Sequence, residues 1–341
     1  MRKWRALGSA ALAVSLALVA GCSANTTNNN NNGNGTGALE KITFLAGIAI
    51  LGREGYVYDA IEKGYFRQAG FDVTVQTGQA SNNLRLLQSG QAQVATIDVS
   101  AAIIAYASGE KDFTLVGAAQ QSNLSTTLVL SNSGIKTPQD LKGKRIGYIT
   151  SGTNKPLFSA YAQQAKIDVA HITWVPFSPA AIQSMPAALA SHRVDALSAF
   201  AWDAPGFGNT IKPGDPTVLT SFPFNNYITD LYGSGWAVTK KYAADHPDRV
   251  QKLVDALKKG LTDTVQDPQS VAKIYAKYVH LQPEPAAAAE LSIAKLYIQP
   301  GGVAIGSINQ QKVAKSIALL ESLGLISSAP SPADVCTCPT T

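Results

Sequence analysis

From Lys41 onward, short apolar runs alternate with amphipathic stretches, a pattern that predicts an α/β fold. ITFLAGIAI predicts a strand, and Tyr56–Tyr65 predicts a helix closed by Gly64. FDVTVQT is a second strand, after which Ser81 caps a helix, NNLRLLQS, that stops at Gly90. QVATID follows as a strand and a helix starts near Val99. DFTLVGAA and STTLVLS are two more strands, ended by the break Ser133-Gly134.

A second unit opens at Thr137, where Thr-Pro-Gln-Asp supplies a cap, a proline at the first helical position and an acid in the first turn. Gly143 ends that turn and KRIGYI is a strand. A helix at Leu157–Lys166, the strand HITWVPF, a helix around Ala187–Ser191 and the strand RVDALSAF complete the unit. LLQSGQAQVATID and ALASHRVDALSAF share one order of helix, tight turn, strand and loop, as two lobes built alike would. Behind Pro247, the residues Val250, Leu253, Val254, Leu257, Leu261 and Val265 recur at helical spacing and predict a core-facing helix. Further helices are expected near Ser270–Val279, Ala286–Tyr297 and Ile308–Leu323.

The residues ahead of this body read as an address. Arg2, Lys3 and Arg5 precede the apolar run Ala6–Ala20, which is shorter than the roughly 20 residues a bilayer span needs. The run closes on Leu18-Val19-Ala20-Gly21-Cys22, small residues ahead of a cysteine, so residues 1–22 predict a secretory signal. The ending resembles the bacterial lipobox, which implies lipidation of Cys22 and anchoring to a membrane. An ordinary cleaved signal with a chance cysteine is the plainer alternative. Residues 23–38, rich in Asn and without charge or large apolar side chains through Gly37, predict a disordered linker.

Composition narrows the function. Without Arg2, Lys3 and Arg5 the 28 basic side chains become 25 against 23 acidic, which argues against a nucleic-acid partner. The four histidines stand far apart with no i, i+4 pair, and no nucleophile elbow, Walker loop or Rossmann fingerprint is visible, so no metal, cofactor or catalytic residue is expected. Cys336 and Cys338 lie in a proline-rich tail, residues 329–341, expected to be flexible, where a pairing would be adventitious.

Glu62-Lys63-Gly64-Tyr65-Phe66 with Gly70-Phe71-Asp72-Val73 resembles the E-K-G-Y-F…G-L-D-V opening of solute-binding proteins for nitrate, taurine, sulfonates and thiamine-pyrimidine precursors. Ser89-Gly90-Gln91-Ala92, the stretch Gly134–Gly147 and the pairs Val194-Asp195-Ala196 and Trp202-Asp203-Ala204 match that family's further motifs in order. Two departures bear on the ligand: Leu51-Gly52-Arg53-Glu54-Gly55 lacks the usual Pro or His, and Asp203 stands where Glu is commoner. The resemblance implies an α/β, two-lobed periplasmic-binding-protein fold (type II) with two crossing strands as hinge and the ligand in the cleft. Lobe 1 would comprise 39–130 plus 233–328 and lobe 2 would comprise 131–232, with crossings near Leu128–Ser131 and Tyr232–Val238. It also implies a monomer that delivers a small organic nutrient to an ABC permease and ATPase from an extracytoplasmic position. Two other readings are an enzyme of thiamine-pyrimidine synthesis and a ligand-sensing protein. The first needs a histidine that no cleft loop supplies, and the second an output domain that does not follow in this sequence.

In open α/β sheets ligands bind beyond the carboxyl ends of the strands. The strand-to-helix loops are 52–58, 77–82, 97–101, 120–125, 151–154, 178–181 and 200–203, and they are rich in Ser, Thr, Asn and Gly. Arg53, Tyr56, Ser81, Asn82, Asp98, Ser100, Ser122, Ser151, Thr153, Asn154, Trp202, Asp203 and Tyr232 are the candidate ligand contacts. Helix N-terminal amides bind anions, Arg53 offers a bidentate fork to a sulfonate or carboxylate, and Asp98 and Asp203 suit an amine or protonated heterocycle. Each Ser or Thr reads equally well as a cap of its own helix.

Overall fold

The computed structural model describes residues 38–340 apart from 80, 81, 151 and 216. The signal, Cys22, the linker, Ser81 and Ser151 lie outside the described residues.

The first sheet contains β1 (Glu40–Leu45), β2 (Phe71–Gln76), β3 (Val94–Asp98), β4 (Phe113–Ala118) and a late strand, β10 (Ser234–Thr239). The second contains β5 (Ser125–Leu130), β6 (Arg145–Ile149), β7 (Thr173–Phe177), β8 (Ala196–Phe200) and β9 (Leu219–Pro223). Their spatial orders are β2-β1-β3-β10-β4 and β7-β6-β8-β5-β9. In each, three parallel strands are followed by an antiparallel fourth that pairs antiparallel with a fifth, so the two sheets repeat one topology. Helices α1 (Gly55–Glu62), α2 (Tyr65–Gln68), α3 (Asn83–Gln88) and α4 (Val99–Ala107) belong to the first sheet, and α5 (Asn154–Gln164), α6 (Met185–Ala190) and α7 (Asp203–Ile211) to the second. The remaining helices run α8 (Lys240–Asp245), α9 (Pro247–Gln266), α10 (Pro268–Tyr278), α11 (Glu284–Ile298), α12 (Gln310–Ser322) and α13 (Pro332–Val335). Among the described residues, no helix is long and apolar enough to cross a membrane.

Local chemistry explains much of this. Thr137 starts a 3-10 turn at Pro138–Leu141 because its amide and hydroxyl both donate to Asp140 Oδ2, at 2.8 and 3.0 Å. The apolar stripe of α9 packs on α1, with Val250, Leu253, Leu257 and Leu261 buried. Gly260 makes that crossing possible, since a Cβ there would lie 2.1 Å from the carbonyl oxygen of Tyr56.

The passage between sheets begins earlier than the sequence pattern places it. Ser125–Leu130 pairs with β8 and β9, not with the first sheet, so the first crossing is residues 119–124 rather than Leu128–Ser131. Two consecutive apolar runs look alike in sequence, and nothing local tells which sheet each joins. The return crossing likewise spans 224–233 rather than Tyr232–Val238, because Ser234–Thr239 is β10 of the first sheet. The two crossings bind each other: Gly233 N donates to Gln120 O at 3.1 Å, and Asn123 N donates to Leu231 O at 3.1 Å.

The C-terminal segment also differs from a flexible tail. Val335 and Cys336 are fully buried in the largest hydrophobic cluster, and Cys336 is disulfide-bonded to Cys338. Cys336 bridges to Leu115 in parallel and Thr337 N donates to Leu115 O at 3.0 Å, so the segment covers the open edge of β4. Gln310, the first residue of α12, donates its amide to Pro339 O at 2.9 Å.

Candidate functional site

The carboxyl ends of the parallel strands meet the crossings. Asp98, ending β3, pairs with Ser234, and Phe200, ending β8, pairs with Ser125. Val99 N donates to Gly233 O and Ala201 N to Leu124 O, which seats the starts of α4 and α7 directly on the crossing segments. Gly233 has no room for a side chain there: a Cβ would lie 2.9 Å from Ser122 O and 2.7 Å from a Leu124 methyl.

Buried polar atoms at this junction with no hydrogen-bond partner among the described residues include Ser100 Oγ, Asn123 Nδ2, Thr153 Oγ1 and Trp202 Nε1, with Arg53 Nε and Glu290 Oε2 beside them. Ser100 and Asn123 are each 1% exposed and Trp202 is 6% exposed. Leaving a buried donor unsatisfied costs about 1–3 kcal/mol, so these atoms call for partners that the described residues do not supply. Asn123 is anchored through its other amide atom, which accepts from Ser125 N at 2.8 Å. The sequence reading placed Ser100, Thr153 and Trp202 among the contacts and passed over Asn123, although its loop was named.

Other predicted residues are engaged within the protein. Tyr56 is buried and its hydroxyl accepts from Trp236 Nε1 at 2.9 Å. Burial raises the Tyr56 pKa above its ordinary value. Asp98 caps α4, accepting from Ala101 N at 3.0 Å, and burial pushes its carboxyl up to about 6. Asn154 braces the frame: Nδ2 donates to Ala199 O at 2.7 Å and Oδ1 accepts from Ser125 Oγ at 3.3 Å. Asn82 donates to Gln79 Oε1 at 2.8 Å. Tyr232 is buried at the return crossing, where its hydroxyl accepts from Asn309 N at 3.2 Å and Lys312 Nζ lies 4.5 Å from its ring centroid. Ser122 sits half-buried in the first crossing.

Arg53 and Asp203 are brought together, but with each other. Arg53, on the 3-10 turn Gly52–Glu54, places Nη2 3.3 Å from Asp203 Oδ1, Nε 2.8 Å from Glu290 Oε1 and Cζ 4.5 Å from the Trp202 ring centroid. Asp203 Oδ2 accepts from Phe200 N at 3.0 Å, so both of its oxygens are occupied. Burial raises the pKa of Asp203 and of Glu290, and Arg53 opposes both shifts. Burial likewise works against the Arg53 charge, yet Glu290, Asp203 and Glu54 hold its pKa above the ordinary value. Glu54 is buried beside them, its carboxyl pushed up to about 8 by desolvation despite Arg53. Among the described residues no set of three His, Cys, Asp or Glu side chains converges as metal ligands would. Sequence reasoning missed Glu290; its one signal was a lone acid inside the apolar run of α11. A cavity of about 440 Å³, lined by Phe158, Val169, Ile172 and Trp174 among others, lies on α5 and the β7 edge and contains none of the predicted site residues.

Two like-built sheets, paired crossings and polar strand ends are the arrangement that the family motifs imply. The NMT1/THI5-like family profile matches residues 55–271. The chain belongs to the NMT1/THI5-like family. It is 23% identical over 261 residues to a Brucella abortus protein that carries a provisional name as a binding protein, a match covering 70% of this chain and 76% of that one. Among solved structures it is similar to the periplasmic aliphatic sulphonate binding protein SsuA from Escherichia coli, at 18% identity and a TM-score of 0.68. That match covers 90% of this chain and 94% of the other. It is also similar to the ligand-binding component of an ABC-type import system from Staphylococcus aureus, solved with zinc bound. There the identity is 16% and the TM-score 0.65, over 89% of this chain and 97% of the other. These likenesses establish the periplasmic-binding-protein fold, type II, for this member of the NMT1/THI5-like family.

Proposed function

We propose that this protein is a non-enzymatic, extracytoplasmic solute-binding lipoprotein that captures a small organic nutrient in the cleft and delivers it to an ABC importer. The observation that carries the reading is the set of unsatisfied buried atoms at the strand ends, Ser100 Oγ, Asn123 Nδ2, Thr153 Oγ1 and Trp202 Nε1. A bound solute with hydrogen-bonding oxygens or nitrogens would satisfy them, and the Trp202 ring would offer it a packing face. Sulfonate- or taurine-like and thiamine-pyrimidine-like solutes both present such atoms. The names of the structural neighbours favour the former and an ABC permease with its ATPase as partners. The LVAGC ending supports export and anchoring through Cys22.

Orphaned atoms give the reading a signature that a structural role would not. Ser100→Ala removes one such atom with little change in the shape of the site, whereas Trp202→Phe removes another together with part of a buried ring. Empty Ser100→Ala should melt at or slightly above the parent temperature, because an unsatisfied group has been deleted. Thermal stabilisation by a solute that binds the parent should shrink. Variants that melt lower when empty and respond to solute as the parent does would defeat the proposal. For the anchor, Cys22→Ser should move the protein from the membrane to the soluble fraction, and continued pelleting with membranes would defeat that part.

A further inference from the structure

The guanidinium of Arg53 is committed before any ligand arrives. Its base is clamped to lobe 1: Gly52 N donates to Gln282 Oε1 at 2.6 Å, and a Cβ on Gly52 would lie 2.7 Å from the Ala287 Cα of α11. Its Nε pairs with Glu290 of that same helix. Its far end reaches the other lobe, pairing with Asp203 at the first residue of α7 and lying over the Trp202 ring. Among the described residues this is the one ion pair that joins the two lobes away from the crossings. Trp202 extends the junction, since it belongs to a buried cluster with Tyr56, Trp236, Ala294 and Tyr297 of lobe 1.

An anionic group that took the place of Asp203 on Nη2 or of Glu290 on Nε would leave that carboxylate without its cation. Both carboxylates are nearly inaccessible, at 9% and 3% exposure. Stripping a buried carboxylate of its partner is strongly destabilising. Two buried carboxylates therefore balance the Arg53 charge within the protein. Resting on the two-lobed solute-binding reading, we infer that Arg53 is a closure residue: it draws Asp203 and Trp202 of lobe 2 onto lobe 1 and sets how far the empty cleft stays shut, rather than supplying positive charge to the ligand. A population of closed molecules without ligand follows, because an interaction made only in the closed state shifts the open–closed equilibrium by its own differential free energy.

The test needs no ligand. Small-angle scattering of ligand-stripped protein, prepared by unfolding, dialysis and refolding, should give a larger radius of gyration for Arg53→Gln than for the parent. Asp203→Asn keeps an oxygen that can accept from Phe200 N while losing the ion pair, and it should open the protein in the same direction. It also serves if Arg53→Gln folds poorly by circular dichroism. Parent-like scattering from both folded variants would overturn the inference. If Arg53 were instead the ligand's anchor, Arg53→Gln would keep the parent profile when empty and lose only ligand-induced stabilisation. Failure of the solute-binding reading would appear separately, as a parent protein that no small molecule stabilises.

Discussion

Asn83→Ala should destabilise the protein by about 3 kcal/mol or more, because one buried side chain satisfies backbone groups from three segments. Asn83 Nδ2 donates to Ala46 O at 2.7 Å and to Thr96 O at 2.9 Å, and Oδ1 accepts from Gln79 N at 2.6 Å. The residue is fully buried at the start of α3, so water cannot replace these bonds without entering the strand ends. Each abandoned group costs about 1–3 kcal/mol, and local relaxation recovers part of the sum. At roughly 2–4 °C per kcal/mol for a chain of this size class, the melting temperature should fall by about 10 °C. Asn83→Asp should be no better, since it turns the donor toward two carbonyls into a second acceptor. A urea titration of both variants decides the matter; a loss below about 1 kcal/mol would mean the loop re-forms its bonds elsewhere.

Stability should fall as pH rises from about 4.5 to 8, with Glu54 as the largest single contributor. The folded carboxyl is held up at about 8 against a reference of 4.5, chiefly by desolvation. Between those values the native state binds a proton that the unfolded chain has released. The protonation contribution is therefore complete below the unfolded value and is lost as pH climbs through the folded one. The slope is at most about 1.4 kcal/mol per pH unit for one group. Asp59, raised to about 7, and Asp98, raised to about 6, act in the same direction. Asp215, lowered to about 2, and other depressed carboxyls contribute stability that is complete above about pH 4 and is lost as pH falls toward 2, so they leave the slope between about 4.5 and 8 unchanged. Glu54→Gln should flatten the curve and be more stable than the parent at pH 8. Denaturant midpoints measured from pH 5 to 8 that rise with pH, or that show the same slope in Glu54→Gln, would contradict this assignment.

Much of the fold is legible in residue order because its signals are local. The capping chemistry of Thr137 and Asp140, the glycine stops at Gly64, Gly90 and Gly143, and the apolar stripe of α9 each act within a few residues. What escaped depends on distant partners. The sheet that claims Ser125–Leu130 is settled by pairing with Leu197–Phe200 and Leu219–Pro223, and β9 itself is short and ends at a proline. The tail looked frayed because Pro330, Pro332 and Pro339 suggest no regular element, yet the β4 edge more than 200 residues earlier gives it a place to dock. Loop position puts Ser100, Thr153 and Trp202 at the strand ends, where their polar atoms have no partner, whereas residue type alone does not separate them from Asp98 and Asn154, whose side chains bond to the frame. Arg53 was visible as a cation in a cleft loop; its two carboxylate partners, 150 and 237 positions away, were not.

Mass spectrometry of the small molecules released when protein purified from its native cells is denatured tests the central claim most directly. The account predicts one small organic solute approaching one copy per protein, much reduced in material carrying both Ser100→Ala and Trp202→Phe. A solute retained at the same level by that double variant, or a parent protein that carries none and takes up none when incubated with an extract of the growth medium, would contradict it.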